Sequence, residues 1–227
     1  NYRKLREVPL GNEVSPALAF HALLPGRHAP AEAPAGAPSR PAVDRISSSP
    51  RDLPFLSLRE QGALLRAGRV TSLELTRLYL GRLRRFDPQL ACVITLTEER
   101  ALAAARRADE ELRAGVDRGP LHGIPWGAKD LIAAKGYRTT WGAKPFETQV
   151  LDVDAAVVEK LDAAGAVLIA KLSVGALAWG DVWFGGTTKN PWNLEQGSSG
   201  SSAGSAAATI AGLVGFALGT ETLGSIV

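Results

Sequence analysis

The chain has 227 residues, of which 45% are apolar and 22% charged, with a net charge of +3 and a pI of 9.2. No apolar run approaches the roughly 20 residues needed to span a bilayer, and the single cysteine, Cys92, excludes an intrachain disulfide framework. The densest basic cluster, Arg82, Arg84 and Arg85, has no aromatic stripe beside it, so it reads as a solvated helix face rather than a nucleic-acid surface.

Residues 1–52 are expected to form an N-terminal extension, partly disordered, because Pro30, Pro34, Pro38 and Pro41 fall among Ala, Gly and Ser. The opening Asn1–Arg6 leads into Glu7, Pro9 and Gly11 without an apolar segment, so no signal peptide and a cytoplasmic location are expected. Methionine is absent, and the chain stops two residues after Ser225. It is therefore expected to be the N-terminal part of a longer protein, with a globular portion over 53–227.

That portion opens on a capping box, Ser57-Leu58-Arg59-Glu60, and a helix ended by Gly68. A second helix starts at Thr71-Ser72-Leu73-Glu74, aligns Leu75, Leu78, Tyr79, Leu83 and Phe86 on one face, and is expected to stop at Asp87-Pro88. Val93–Leu96 reads as a strand, with Cys92 a small buried hydrophobe beside it. Residues 98–114 read as an Ala- and Arg-rich helix closed by Gly115. Residues 122–130 lead through Gly and Pro into a strand edge, 154–164 read as a helix, and 166–170 as a buried strand. Alternating helix and strand predict an α/β fold around a largely parallel sheet.

The last 40 residues carry the chemistry. Residues 197–205 are almost all Gly and Ser, 206–211 read as a helix of small residues, 214–218 as a buried strand and 219–225 as a turn. Ser201 and Ser225 lie 24 positions apart. A ten-residue helix carries the chain roughly 15 Å away, and a strand of five or six residues returns it by roughly 17–20 Å. Both serines can then lie at one end of a layer, beside the carboxyl end of a strand, where open α/β sheets place their sites.

Gly200-Ser201-Ser202-Ala203-Gly204-Ser205-Ala206 followed by Gly219–Ile226 resembles the Gly/Ser-rich motif of the amidase signature family. Gly123-Ile124-Pro125-Trp126-Gly127-Ala128-Lys129-Asp130 is similar to that family's lysine motif, and Thr139–Gly142 and Asn190–Asn193 to its accessory segments. The resemblance runs from about residue 53 to the end. It implies a mixed sheet flanked on both sides by helices, and a Ser–cis-Ser–Lys triad. Carried over, Lys129 is the base, Ser201 the bridging serine in a cis peptide and Ser225 the nucleophile. The backbone N–H groups of Thr222, Leu223, Gly224 and Ser225 form the oxyanion hole, with Leu223 standing where glycine is usual. The implied reaction is hydrolysis of a small-molecule carboxamide, with no cofactor, metal, nucleic acid or membrane. A homo-oligomer is compatible with it.

A lysine acts as a base only when neutral. Bringing its ordinary pKa of about 10.4 near 7 takes a shift of about three units, roughly 4 kcal/mol. Burial supplies shifts of that size, and Ile124, Pro125, Trp126, Ala128, Leu131 and Ile132 surround Lys129 in sequence. Four other readings compete. Gly200–Gly204 also fits a nucleophile elbow with Ser202 as nucleophile, which needs a later histidine, whereas His21, His28 and His122 all come earlier. A phosphate-binding loop lacks its G-K-[ST] ending. Within the family, the glutaminase subunit of the tRNA-dependent amidotransferase shares the triad; the extension and Leu223 favour a stand-alone amidase. A non-catalytic fragment is the remaining alternative.

Overall fold

A computed structural model describes residues 42–226; most of the expected extension, residues 1–41, lies outside them. Within the described part, a short 3-10 turn at Val43–Arg45 and a second at Leu53–Phe55 bring Ile46 and Leu53 into the main core.

Two helices follow, each started by its own sequence. In α1 (Leu58–Arg66) the Ser57 hydroxyl accepts the Glu60 N–H, and the Glu60 carboxylate accepts the Ser57 N–H at 2.8 Å. In α2 (Ser72–Leu90) Thr71 and Glu74 repeat the arrangement. Each box satisfies two backbone donors that the helix itself cannot. The expected stop at Asp87-Pro88 is corrected: α2 continues to Leu90 with Pro88 inside it. A proline in the last turn removes one hydrogen bond near the end of the ladder rather than in its middle. The true end is set by Ala91 in the left-handed region (φ 48°) and by the Asp87 carboxylate, which accepts the N–H groups of Cys92 and Val93 at 2.7 and 2.8 Å.

The chain then lays down β1 (Val93–Leu96), α3 (Glu98–Arg113), β2 (Pro125–Lys129), α4 (Ala156–Ala163) and β3 (Val167–Leu172). Two small antiparallel ribbons follow, β4 (Val182–Trp183) with β5 (Gly186–Thr187) and β6 (Lys189–Asn190) with β7 (Asn193–Gly197). Last come α5 (Ala203–Ile210) and β8 (Phe216–Leu218). The main sheet has the order β1-β3-β2-β8; β2 runs parallel to both neighbours, and β1 is antiparallel to β3. It is a mixed sheet. β2 lies inside it, with Pro125 at its first position, where a missing N–H is tolerated.

Both faces are covered. On one, Val167, Ile169 and Leu172 pack against Leu64, Leu75, Tyr79, Ala101 and Ala207 from α1, α2, α3 and α5. On the other, Trp126, Ala128 and Leu168 pack with Ala134 and with Val158 of α4. Trp126 stacks on Phe216 at 5.9 Å. The small residues of α5 let its backbone approach the sheet: a Cβ on Gly204 would lie 2.4 Å from the Ser173 nitrogen and 2.5 Å from the Cys92 oxygen. The Gly204 N–H donates to the Ser173 carbonyl at 3.0 Å. That anchor starts α5 at Ala203, three residues before the expected 206, and brings the segment that precedes it over the end of β3.

Candidate active site

Side chains alternate across a pleated strand. In the β2–β3 register Lys129 lies opposite Leu172, and Ala128 opposite Lys171. Lys129 and Lys171 therefore leave the sheet on opposite faces, although they stand at the same end of adjacent strands. β8 pairs with β2 on the other side, so the chain leaving β8 emerges at the same end of the sheet as Lys129. The segment before α5 arrives there too, through a cis peptide between Gly200 and Ser201.

Three predicted site residues meet at this point. Lys129 Nζ donates to Ser201 Oγ at 2.8 Å, and Ser201 Oγ donates to Ser225 Oγ at 3.0 Å. Lys129 is fully buried, Ser201 is buried, and Ser225 is half-buried at the surface. Burial pushes the Lys129 ammonium down to about 8, against an opposing pull from the charge of Glu221.

The structure adds further partners of the lysine: Thr220, which the sequence did not single out, and Ser202, which it singled out only as a rival nucleophile. Thr220 Oγ1 accepts a hydrogen bond from Lys129 Nζ at 2.8 Å, and Ser202 Oγ accepts another at 3.0 Å. Ser202 Oγ also accepts the Thr220 N–H at 3.2 Å and donates to the Thr220 carbonyl at 3.1 Å. These contacts tie Ser202 to the lysine and the turn. Thr220 stands inside the turn motif, and a hydroxyl beside an expected buried amine was the available signal for it. Glu221 was missed as well: its carboxylate accepts the N–H groups of Gly224, Ser225 (2.8 Å) and Ile226 (2.5 Å). Two of the four N–H groups expected to form the oxyanion hole, those of Gly224 and Ser225, are thus engaged by a carboxylate. No charge of that kind was foreseen there.

Surrounding contacts hold the loops in place. Asp181 accepts the Ser199 N–H at 3.0 Å, and the Gly175 N–H donates to the Ser201 carbonyl at 3.3 Å. A Cβ on Gly200 would meet the Gly180 carbonyl oxygen at 2.1 Å, so only glycine fits before Ser201. On the opposite face of β2, Asp130 receives Lys171 Nζ at 2.6 Å and the N–H of Thr140 at 2.7 Å, with all three residues fully buried. Among the described residues no group of three or more His, Cys, Asp and Glu could hold a metal ion, and no helix is long and apolar enough to cross a membrane.

Comparison with known proteins agrees with the motifs. The family model described as Amidase matches residues 74–227. A glutamyl-tRNA(Gln) amidotransferase subunit of Methylococcus capsulatus is 46% identical over 173 residues, which are 75% of this chain and 36% of that protein. Among solved structures, the peptide amidase PAM in complex with the competitive inhibitor chymostatin superposes with a TM-score of 0.71 at 39% identity, covering 75% of this chain and 37% of that one. An amidase family protein from Bacillus anthracis gives 0.73 at 28% identity, covering 78% and 37%. The chain spans just over a third of the length of these proteins. With the family model matched over more than half of it, this chain belongs to the amidase signature family.

Proposed function

We propose that the full-length protein hydrolyses a carboxamide through an acyl-enzyme on Ser225, with Lys129 as base and Ser201 as proton relay. The observation that carries this reading is the line Lys129 Nζ–Ser201 Oγ–Ser225 Oγ, at 2.8 and 3.0 Å, ending on a buried amine whose pKa is lowered to about 8.

With Lys129 protonated, each hydrogen bond of the line points toward Ser225, and the nucleophile holds its proton. Loss of one ammonium proton frees a lone pair on Nζ and allows the line to reverse. Ser225 then donates to Ser201, and Ser201 to Lys129. As Ser225 Oγ bonds to the amide carbon, its proton passes to Ser201, whose own proton passes to Lys129. The line runs back to protonate the departing nitrogen as the C–N bond breaks. The amine or ammonia leaves at that step. Water then attacks the ester carbon, giving a proton to the line, which returns one to Ser225 Oγ as the Ser225 O–C bond breaks and the carboxylate leaves.

The oxyanion donors in this reading are the N–H groups of Thr222, Leu223, Gly224 and Ser225. Glu221 has to yield those of Gly224 and Ser225 for them to serve. Each donor of this kind is worth about 3–4 kcal/mol in the transition state.

A second reading is favoured by the relatives named as amidotransferase subunits: the amide is that of glutamine, and the ammonia passes to a partner protein. Both readings are tested with the full-length protein. A fluorophosphonate should label wild type and Ser202→Ala but not Ser225→Ala. Labelling retained in Ser225→Ala and lost in Ser202→Ala overturns the assignment. Release of ammonia from glutamine, with no turnover of simple amides, selects the second reading.

A further inference from the structure

One motif singled out in the sequence has no part in the proposed reaction: Thr139-Thr140-Trp141-Gly142. Its anchor is Asp130, the residue after the base, and Asp130, Thr139 and Thr140 are all fully buried. One Asp130 carboxylate oxygen receives Lys171; the other accepts both the N–H and the hydroxyl of Thr140, at 2.7 and 2.5 Å. The Asp130 carbonyl accepts the Trp141 N–H at 3.3 Å, and Thr140 Oγ1 accepts the Gly142 N–H at 3.2 Å. Three hydrogen bonds thus tie the segment to Asp130, and a fourth closes it on itself.

The far end of the segment bears on the relay. Gly142 (φ 69°) lies so close to the Val174 carbonyl that a Cβ there would overlap its oxygen. That carbonyl shares a planar peptide unit with the Gly175 N–H, which donates to the Ser201 carbonyl at 3.3 Å. The C=O and N–H of a trans peptide point in opposite directions, so Gly142 stands on one side of that unit and Ser201 on the other. The Trp141 and Gly142 carbonyls accept the Leu177 and Phe184 N–H groups at 2.9 and 3.1 Å, which holds the loop after β3 against the segment.

We infer that Thr139–Gly142 is a positioning strap for the proton line, with Thr140 its anchor: it takes its place from Asp130, beside the base, and passes it through the Val174–Gly175 peptide to Ser201. The base and the relay serine lie 72 positions apart, and this chain of contacts joins the backbone of one to the backbone of the other. The inference rests on the Ser225–Ser201–Lys129 reading and adds the residue that sets its spacing. Thr140 touches no reacting atom; it acts through Ser201.

The test is the kinetics of fluorophosphonate labelling in the full-length protein. They resolve into a maximal rate, which needs the relay, and a half-saturating concentration, which reports the fit of the probe. Thr140→Val removes the hydroxyl and keeps the size; it should lower the maximal rate by about tenfold and leave the half-saturating concentration unchanged. Thr140→Ser restores the hydroxyl and should recover most of the rate. Gly142→Ala presses on the Val174 oxygen and should show the same split. Ser57→Ala, which costs stability far from the site, should change neither value. All are read below the lowest denaturation midpoint of the set.

A Thr140→Val protein that labels at the wild-type rate, a Thr140→Ser protein no faster than Thr140→Val, or losses confined to the half-saturating concentration overturn the inference. If Thr140→Val does not fold, Gly142→Ala decides by the same split. Failure of both to fold also overturns it, since the segment would then serve stability alone. Labelling retained in Ser225→Ala would instead bring down the underlying reading, and the inference with it.

Discussion

Lys129 and Lys171 stand at the same end of neighbouring strands of one sheet, and both are fully buried, yet their surroundings differ in kind. Lys171 meets a carboxylate, Asp130 at 2.6 Å, with the Arg138 carbonyl at 2.8 Å and Thr139 Oγ1 at 3.1 Å. Lys129 meets neutral oxygens, the hydroxyls of Ser201, Ser202 and Thr220. Burial lowers the pKa of both, and at Lys171 the Asp130 charge pulls directly against it. A buried ammonium held by a carboxylate keeps its charge and ties two strands together. One held by hydroxyls can give up its proton and act as a base. The pleat makes this division possible by sending the two side chains to opposite faces.

The sharpest way to break the comparison is to remove each amine. Lys129→Ala should lower kcat/KM by about 10²–10⁴-fold, and Lys129→Arg should not rescue it, because guanidinium stays protonated. Lys171→Met should act on stability instead: leaving Asp130 buried without its partner costs about 3–5 kcal/mol, read as a lower denaturation midpoint. Lys171→Met combined with Asp130→Asn should recover part of that loss. An active Lys129→Arg variant would end the assignment of Lys129 as base.

The pH profile sharpens it further. Lys129 must be neutral to accept a proton, so the acylation rate should fall about tenfold per unit below a pKa of about 8 and level off above it. Glu221 raises that pKa, so Glu221→Gln should move the limb to lower pH. His122→Gln should leave the limb in place: His122 is buried against Glu111 at 3.0 Å and accepts the Arg118 N–H, contacts that involve no residue of the relay. A limb that moves in the His122 variant and stays in the Glu221 variant would sink this account.

Two smaller effects follow. Ser202→Ala removes one hydrogen bond to the lysine, worth about 1 kcal/mol, and should slow acylation about fivefold without abolishing labelling. Ser57→Ala, far from the site, removes one side of a capping box and should destabilise by about 1 kcal/mol with no shift in the pH limb.

What was legible in the sequence is what neighbouring residues settle among themselves. Both capping boxes stand where Ser57–Glu60 and Thr71–Glu74 announced them, because the hydrogen bonds span three residues. The out-and-back path from Ser201 to Ser225 was readable from element lengths, and the amidase motifs named the three side chains. Tertiary structure decided the rest. The expected stop at Pro88 yielded to the Asp87 carboxylate and the turn at Ala91, contacts that no residue scale weighs. The ribbons β4–β5 and β6–β7 are too short to show a period. Thr220 became a partner of the lysine only when β8 was laid beside β2. The roles of the two lysines belong to this second class too. Each ends an apolar stretch, and a one-residue difference in register, acting through the pleat, places hydroxyls around one and a carboxylate against the other.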